Sequence, residues 1–495
     1  AARRRSYRQK SDASMKLFSG IADLPGKIPT TGIALAVAGT LALAGCENRG
    51  TGDGRNTADN RPLTNAVVSS RVETPLPGEA GANPPPGAAA PAAPPTPAMS
   101  TDQAMPDIQL TPPPGIANRT RVALLIPLSG PRANLGQAVL DAAKLALFDV
   151  ADGDFELRPY DTAATVEGAA AAAQIAVSDG VKLVIGPIFS DAVRGAAPVI
   201  RDAGLNMLAF SNDRNVAEPG IYLSGLFPES QIERVIAYAA GRGVRRLGVL
   251  APRGPFGQRA LDAARRAAAG AGIDLVRTEI FGPSTDDIVR AARTIGDYDV
   301  RRAALLAEKA ALAGREDEVS KRALARLDIL DTLGPVAFDA LLVATSEGEL
   351  VNMAAQLGNF DIDTKRVRLL GLASWAADGT GREPSLVGGW FASPPTANDT
   401  EFIRSYRAMY ETEPHPLAAN AYDLVALAAI LGSQEGGAKF DDATLTSETG
   451  FAGISGLFRF LPDGLSERSL EVRELTTSGN KIIDPAQKSF DSLTN

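Results

Sequence analysis

The sequence predicts an α/β protein of two doubly wound lobes behind a long leader. Three observations predict it. From Arg121 onward, short apolar runs alternate with Ala-rich amphipathic stretches. The alternating series starts twice, at Arg121 and again near Glu229. The segment from Glu47 to Asn118 contains no Phe, Trp or Tyr and cannot supply a core of its own.

The leader comes first. Lys16 and Lys27 precede an apolar stretch from Gly32 to Gly45, which ends in Leu43-Ala44-Gly45-Cys46. A charged region, a short apolar region and a small-residue cleavage site make a secretory signal, too short for a permanent bilayer-spanning helix. Met15 is the expected start of translation. Cys46 is the chain's one cysteine, so no disulfide is expected in the mature protein. Its place after the cleavage site resembles the lipobox of bacterial lipoproteins, which implies cleavage before Cys46 and lipidation of its sulfur. Residues 46–118 then form a linker rich in Pro, Ala, Gly, Asn and Thr, including Pro84-Pro85-Pro86 and Pro112-Pro113-Pro114. Such a segment buries too little to offset ordering and is expected to be a tether. As a coil it spans roughly 45–50 Å, and about 200 Å when fully extended.

The first alternating series follows. Arg121–Ile126 is a continuous apolar run that suits a strand buried on both faces. After the loop Leu128-Ser129-Gly130-Pro131, Asn134 and Gln137 have capping-box spacing ahead of a helix with Leu135, Val139, Ala143 and Ala146 on one face. Strand Phe155–Tyr160, helix Thr165–Asp179, strand Val181–Ile185, helix Asp191–Ala203 and strand Asn206–Phe210 complete it. The second series runs from a helix at Glu229–Gly241 through strand Arg246–Leu250 and helix Gly257–Gly270 to strand Asp274–Thr278. Strands alternating with helices predict parallel sheets with right-handed crossovers. Between Tyr298 and Leu333, Leu305, Leu312, Val319, Leu324, Leu327 and Leu330 fall near helical spacing among many charges. This reads as a charged helix or helical hairpin inserted at about 299–333, either a solvated decoration or a partner-binding surface.

Composition excludes several functions. The net charge of −8 is spread without runs, and no basic stripe is interleaved with aromatics, so no nucleic-acid partner is expected. The single histidine, His415, lies between prolines in a loop and leaves no Ser-His-Asp or His-rich metal chemistry. No cofactor is expected. Dinucleotide, P-loop and Gly-x-Ser-x-Gly motifs are absent. The Ser-x-x-Lys spacing at Ser478–Lys481 reads as a hairpin turn between Val472–Leu475 and Lys481–Ile483. An enzyme is not expected.

Four segments carry a family resemblance. The loop Pro127–Pro131, the stretch Asp179–Pro187, Asn420-Ala421-Tyr422-Asp423, and Gly453–Phe460 followed by Asp463-Gly464 together resemble the leucine/isoleucine/valine-binding family over about residues 119–485. The resemblance implies a type I periplasmic binding protein fold, with lobe 1 at about 119–225 and 393–454 and lobe 2 at about 228–388 and 457–485. It implies crossovers near Ser224–Phe227, Gly389–Ser393 and Gly453–Gly456, and a ligand cleft between the lobes. The implied cleft residues are Ser129, Ser190, Ser211, Tyr222 and Trp375. Ser190 matches a hydroxyl that binds a ligand carboxylate at a helix start; a plain N-cap is its other reading. The family's acid for the ligand ammonium is missing from Leu370–Trp375, and the Arg of the first crossover is missing from Leu223–Leu226. With the lipobox, tether and insertion, the chain resembles penicillin-binding-protein activator lipoproteins, and more closely the alphaproteobacterial proteins of that label, which have a Leu-binding-like domain and no helical-repeat N-terminal domain. That implies an outer-membrane-anchored, periplasm-facing regulator with a peptidoglycan synthase as partner. The alternative is the substrate-binding subunit of an ABC importer for amino acids or related small polar solutes.

Overall fold

The computed structural model describes residues 119–490, apart from Asp152, Ser346 and 396–398. The leader, Cys46 and the tether lie outside the described residues.

The first sheet consists of β1 (Thr120–Ile126), β2 (Phe155–Asp161), β3 (Leu183–Ile185), β4 (Met207–Ala209) and β5 (Ile221–Leu223). Their order is β2-β1-β3-β4-β5, and all pairs are parallel. Helices α1 (Ala133–Val150), α2 (Val166–Ser178) and α3 (Ser190–Asp202) are the connections. Both faces of β1 are buried: Val122, Leu124 and Ile126 join one core cluster, Ala123 and Leu125 the other. That burial is why β1 is a continuous apolar run rather than an alternating one. Thr165 caps α2, accepting from the Gly168 N–H at 2.9 Å. The expected cap at Asn134 does not form. A 3₁₀ turn over Gly130–Arg132 runs directly into α1, which places Asn134 inside the helix, and Gln137 donates to Asp141 at 2.8 Å instead.

The chain then crosses at 224–227, as expected, into α4 (Pro228–Gly241) of the second lobe. Strands β6 (Arg246–Pro252), β7 (Asp274–Phe281), β8 (Ala340–Val343), β9 (Arg368–Gly371) and β10 (Trp390–Ser393) follow. They are interleaved with α5 (Pro255–Ala271), α6 (Thr285–Ile295), the insertion helices α7 (Tyr298–Ala313) and α8 (Glu318–Asp328), and α9 (Glu347–Asn359). Gly389–Ser393 was the expected second crossover, but β10 is a strand of lobe 2 and the chain leaves only after it. Beyond it, α10 (Asp399–Tyr410) and α11 (Ala418–Gly432) return to lobe 1, where Phe402 and Tyr406 join the core around α1.

The third expected crossover is also displaced. After the short α12 (Asp442–Leu445), strands β11 (Phe451–Gly453), β12 (Gly456–Phe460) and β13 (Ser466–Arg468) form a small antiparallel sheet, and Gly453–Gly456 is its first turn. Phe458 and Phe460, alternate residues of β12, are both buried in lobe 1, with Phe460 5.5 Å from the Tyr222 ring. Residues 457–468 thus belong to lobe 1, and the chain crosses at Ser469–Leu470 into β14 (Glu471–Thr476) and β15 (Gly479–Asp484). These complete a sheet of order β15-β14-β10-β9-β8-β6-β7, parallel from β10 to β7 and antiparallel at β14 and β15. Ser478 lies in the β14–β15 turn, and Lys481 pairs with Glu474 at 2.8 Å. The architecture is two doubly wound lobes with three chain crossings, the type I periplasmic binding protein fold.

The insertion is a helical hairpin fixed to lobe 2 at its base. Arg301 is 7% exposed. Its guanidinium donates to the carbonyls of Gly296 (2.7 Å), Gly334 (3.1 Å), Phe360 (2.9 Å) and Asp361 (3.1 Å) and to the Thr332 hydroxyl (2.8 Å). Leu305 is buried beside it, but Val319 and Leu330, expected on the apolar face, are exposed, as are Val300, Leu306 and Ile329. Among the described residues no helix is long and apolar enough to cross a membrane.

Candidate functional site

The carboxyl ends of the parallel strands in both lobes, and the crossings between them, hold most of the polar groups that the chain places at the interlobe side. In lobe 1, Asp161 ends β2. Its Oδ1 accepts the N–H groups of Leu128 (2.7 Å), Ser129 (3.3 Å) and Ala163 (2.8 Å). Burial alone would raise its carboxyl, but the Ser129 hydroxyl and these N–H groups hold it below the usual carboxylate range. One side chain thereby ties the β1–α1 loop to the β2–α2 loop. Ala163 and Ala164 pay for this with positive φ angles of 47° and 58°, a left-handed conformation that costs a non-glycine residue about 1–2 kcal/mol. Such strain persists only where surrounding contacts over-determine it.

Three of the five expected cleft residues reach this edge. Ser129 is exposed after β1. Ser211 is buried after β4, its hydroxyl accepting the Asp213 N–H at 3.2 Å. Ser190 opens α3 and is half-buried; Phe189 occupies the cap position, so the plain N-cap reading of Ser190 fails. Ser190 is the first residue of α3, and the first turn of a helix carries N–H groups without intrahelical partners, a setting that suits an anion.

The other two belong to the core. Tyr222 is 1% exposed in β5, its ring against Phe460 and its hydroxyl donating to Asp442 at 2.9 Å. Burial first, then Asp442, pushes the phenol well above its ordinary value. Trp375 is fully buried near Phe391, with ring centroids 6.5 Å apart. Gly371 admits the indole, since a Cβ there would lie 2.0 Å from its Cε2. Pattern alone could not separate a cleft aromatic from a core one.

On the lobe-1 side of the crossings, a polar cluster ties the residue before the third crossing to the start of the first. Arg468 immediately precedes the third crossing. It donates to Ser455 Oγ (2.8 Å), to Asn420 Oδ1 (2.8 Å) and to the carbonyl of Ser224 (3.2 Å), the first residue of the first crossing. Asn420 donates to the same carbonyl at 3.1 Å. Asp423 is 3% exposed and accepts the N–H groups of Ile454 (2.7 Å) and Ser455 (3.1 Å) together with the Ser455 hydroxyl. Burial pushes its carboxyl up against the pull of Ser455 and Arg468. The segments 420–423 and 453–456 that carry the family resemblance thus serve the hinge. The sequence reading did not find Arg468 or Asp161, because their partners, Ala163 beside Asp161 excepted, lie 13 to 244 residues away.

In lobe 2, no acid follows β9, as the sequence indicates. The Ala373 N–H there is instead taken by Gln231 Oε1 at 2.7 Å, which brings the start of α4 to the end of β9. His415 is exposed and accepts the Leu417 N–H at 3.1 Å. A depression of about 520 Å³ lies at the opposite, amino ends of the lobe-1 strands, lined by Arg119, Lys182, Asn206 and Asp441 among others.

A family profile described as periplasmic binding protein matches residues 119–458. The chain is 32% identical over 152 residues to the penicillin-binding protein activator LpoA of Photobacterium profundum, which covers 30% of this chain and 24% of that protein. It is 24% identical over 176 residues to the uncharacterized protein RP748 of Rickettsia prowazekii, covering 36% and 47%. The chain thus spans about a quarter and about half of the lengths of these curated relatives. Among solved structures, a putative branched-chain amino acid ABC transporter from Rhodospirillum rubrum superposes with a TM-score of 0.58 at 17% identity, covering 74% of this chain and 100% of that one.

Proposed function

Because the chain belongs to the periplasmic binding protein family, we propose that it uses the family fold as a non-enzymatic regulator of peptidoglycan synthesis, in the manner of a penicillin-binding-protein activator. In this reading it is a periplasm-facing lipoprotein, anchored in the outer membrane through Cys46 and held off the membrane by residues 47–118. The observation that carries the proposal is the hairpin α7–α8. Arg301 fixes its base with five hydrogen bonds, while Val319 and Ile329 stand 78% and 85% exposed. A rigid arm with solvent-facing apolar side chains suits a protein partner better than solute delivery. The local identity to an activator supports the same reading. Replacing residues 302–330 by a short Gly-Ser link keeps Arg301, and should leave the fold intact and weaken capture of a purified peptidoglycan synthase. Unchanged capture by the folded variant refutes the hairpin's role. Cys46→Ser should release the protein from membranes.

A second reading, a substrate-binding subunit of an ABC importer, is favoured by Ser190 at the head of α3, where a ligand carboxylate would meet free N–H groups. A saturating amino-acid ligand would raise the melting temperature and support it.

A further inference from the structure

After the three crossings, the segment that follows β15 leaves lobe 2 and returns to lobe 1. Its departure is fixed by Arg234 of α4. That guanidinium donates to the Leu470 carbonyl at the third crossing (2.9 Å) and to the carboxylate of Asp484, the last residue of β15. Its arrival is fixed by Phe490, which is 4% exposed. The guanidinium of Arg459 in β12 lies over the Phe490 ring, 4.5 Å from its centroid. Arg459 is itself held by the Glu467 carboxylate (2.7 Å) and the Glu448 carbonyl (3.0 Å). Gly450 leaves room for the ring, since a Cβ there would lie 2.8 Å from Phe490 Cε2. Midway, the Gln487 carbonyl accepts from the hydroxyl of Ser469, the first residue of the third crossing, at 2.7 Å.

Two stretches of chain therefore run side by side at one hinge. The third crossing is only Ser469–Leu470, and a link that short absorbs bending and twisting through a few backbone rotations. A second stretch bonded to it removes that freedom. Asp484 to Gln487 is three residues, as is Gln487 to Phe490, and three residues span at most about 10 Å. With both ends and the midpoint held, a large rotation of one lobe against the other must break the Ser469 bond or draw Phe490 from its seat. The seat is the stronger hold, because a buried aromatic ring contributes more than one neutral hydrogen bond.

We infer that residues 485–490 are a strap that restrains the angle between the lobes, with Phe490 as its releasable end. Docking of Phe490 and the interlobe angle are then linked. Whatever frees the ring widens the range of angles, and whatever drives the lobes apart frees the ring. Lys488 is exposed between Gln487 and the ring, so a protease gains this stretch of backbone once the ring is out. The strap follows from the fold and holds under either reading of the protein's role.

The test uses the full chain with Cys46→Ser, which leaves no cysteine, and nitroxide labels on Asn134→Cys and Arg253→Cys. Asn134 is in the first turn of α1 and Arg253 directly follows β6, so each label stands at the carboxyl edge of its own lobe's sheet. Double electron–electron resonance reads the interlobe distances, and limited trypsin digestion reads cleavage after Lys488. With the strap intact, the distances should be narrowly distributed and the cleavage slow. Phe490→Ala should broaden the distribution and speed that cleavage roughly tenfold or more. A chain ending at Asp484 should broaden the distribution as much. Ser469→Ala, which removes only the bond to Gln487, should broaden it less, and it decides the matter if the other two variants do not fold. A ring that merely fills lobe 1 would lower the melting temperature of Phe490→Ala and leave the distances unchanged. That result overturns the inference, as does cleavage after Lys488 that is equally fast with and without the ring, or an unchanged distribution in every folded variant.

Discussion

At the scale of single residues, the cleft side of lobe 1 depends on Asp161. Its carboxylate gathers N–H groups from two loops, and those bonds are strongest while it is ionised. Its folded pKa is depressed, so its contribution to stability is present above the unfolded value of about 4 and is lost as pH falls through the folded value. Asp161→Asn should flatten the acid limb of a stability-against-pH curve below about pH 4 and leave the neutral limb nearly parallel to the wild type. An unchanged acid limb would show that the loops are held by other means. Tyr222 is the complementary case, a residue whose role is packing. Tyr222→Phe keeps the contact with Phe460 and loses only the bond to Asp442, so a cost of about 1 kcal/mol is expected in urea unfolding.

At the scale of elements, the hinge depends on β13 and α11 meeting at one buried cluster. Arg468→Met would remove the cation nearest the buried Asp423 carboxyl together with the donors to Ser455, Asn420 and the Ser224 carbonyl, and should destabilise the fold in urea unfolding. Adding Asp423→Leu should recover part of that loss, because no charge is then stranded. Additive losses in the double-mutant cycle would mean that the two groups do not sense each other through Ser455. The elements themselves were legible. Each strand and helix of the first series appears within a few residues of its expected bounds, since each is a local apolar run or an amphipathic stretch. The hairpin was legible as helices, but its exposed face was not. Val319 and Leu330 have helical spacing with Leu305, yet only Leu305 is buried. Spacing places residues on a face, and only packing decides whether that face is covered.

At the scale of the whole molecule, the two lobes bring together polar edges of different character. Lobe 2 offers no acid after β9, so an amino-acid ammonium would lose its usual partner there. Leucine is therefore expected to give little rise in melting temperature. At a hundred times its Kd a ligand adds about 2.7 kcal/mol, and a shift of the size that implies would promote the importer reading.

The sequence by itself determined the fold class, the two series of strands and helices, the first crossing and the helical insertion. Those follow from local periodicity and from motifs a few residues long. The tertiary structure decided the second and third crossings, because assigning β10 to lobe 2 and β12 to lobe 1 depends on which core Phe391, Phe458 and Phe460 enter. It also decided that Tyr222 and Trp375 are core and that Arg301 and Arg468 are anchors. Each of those depends on partners distant in the chain, and a buried charge finds its partner through the fold rather than through its neighbours in sequence.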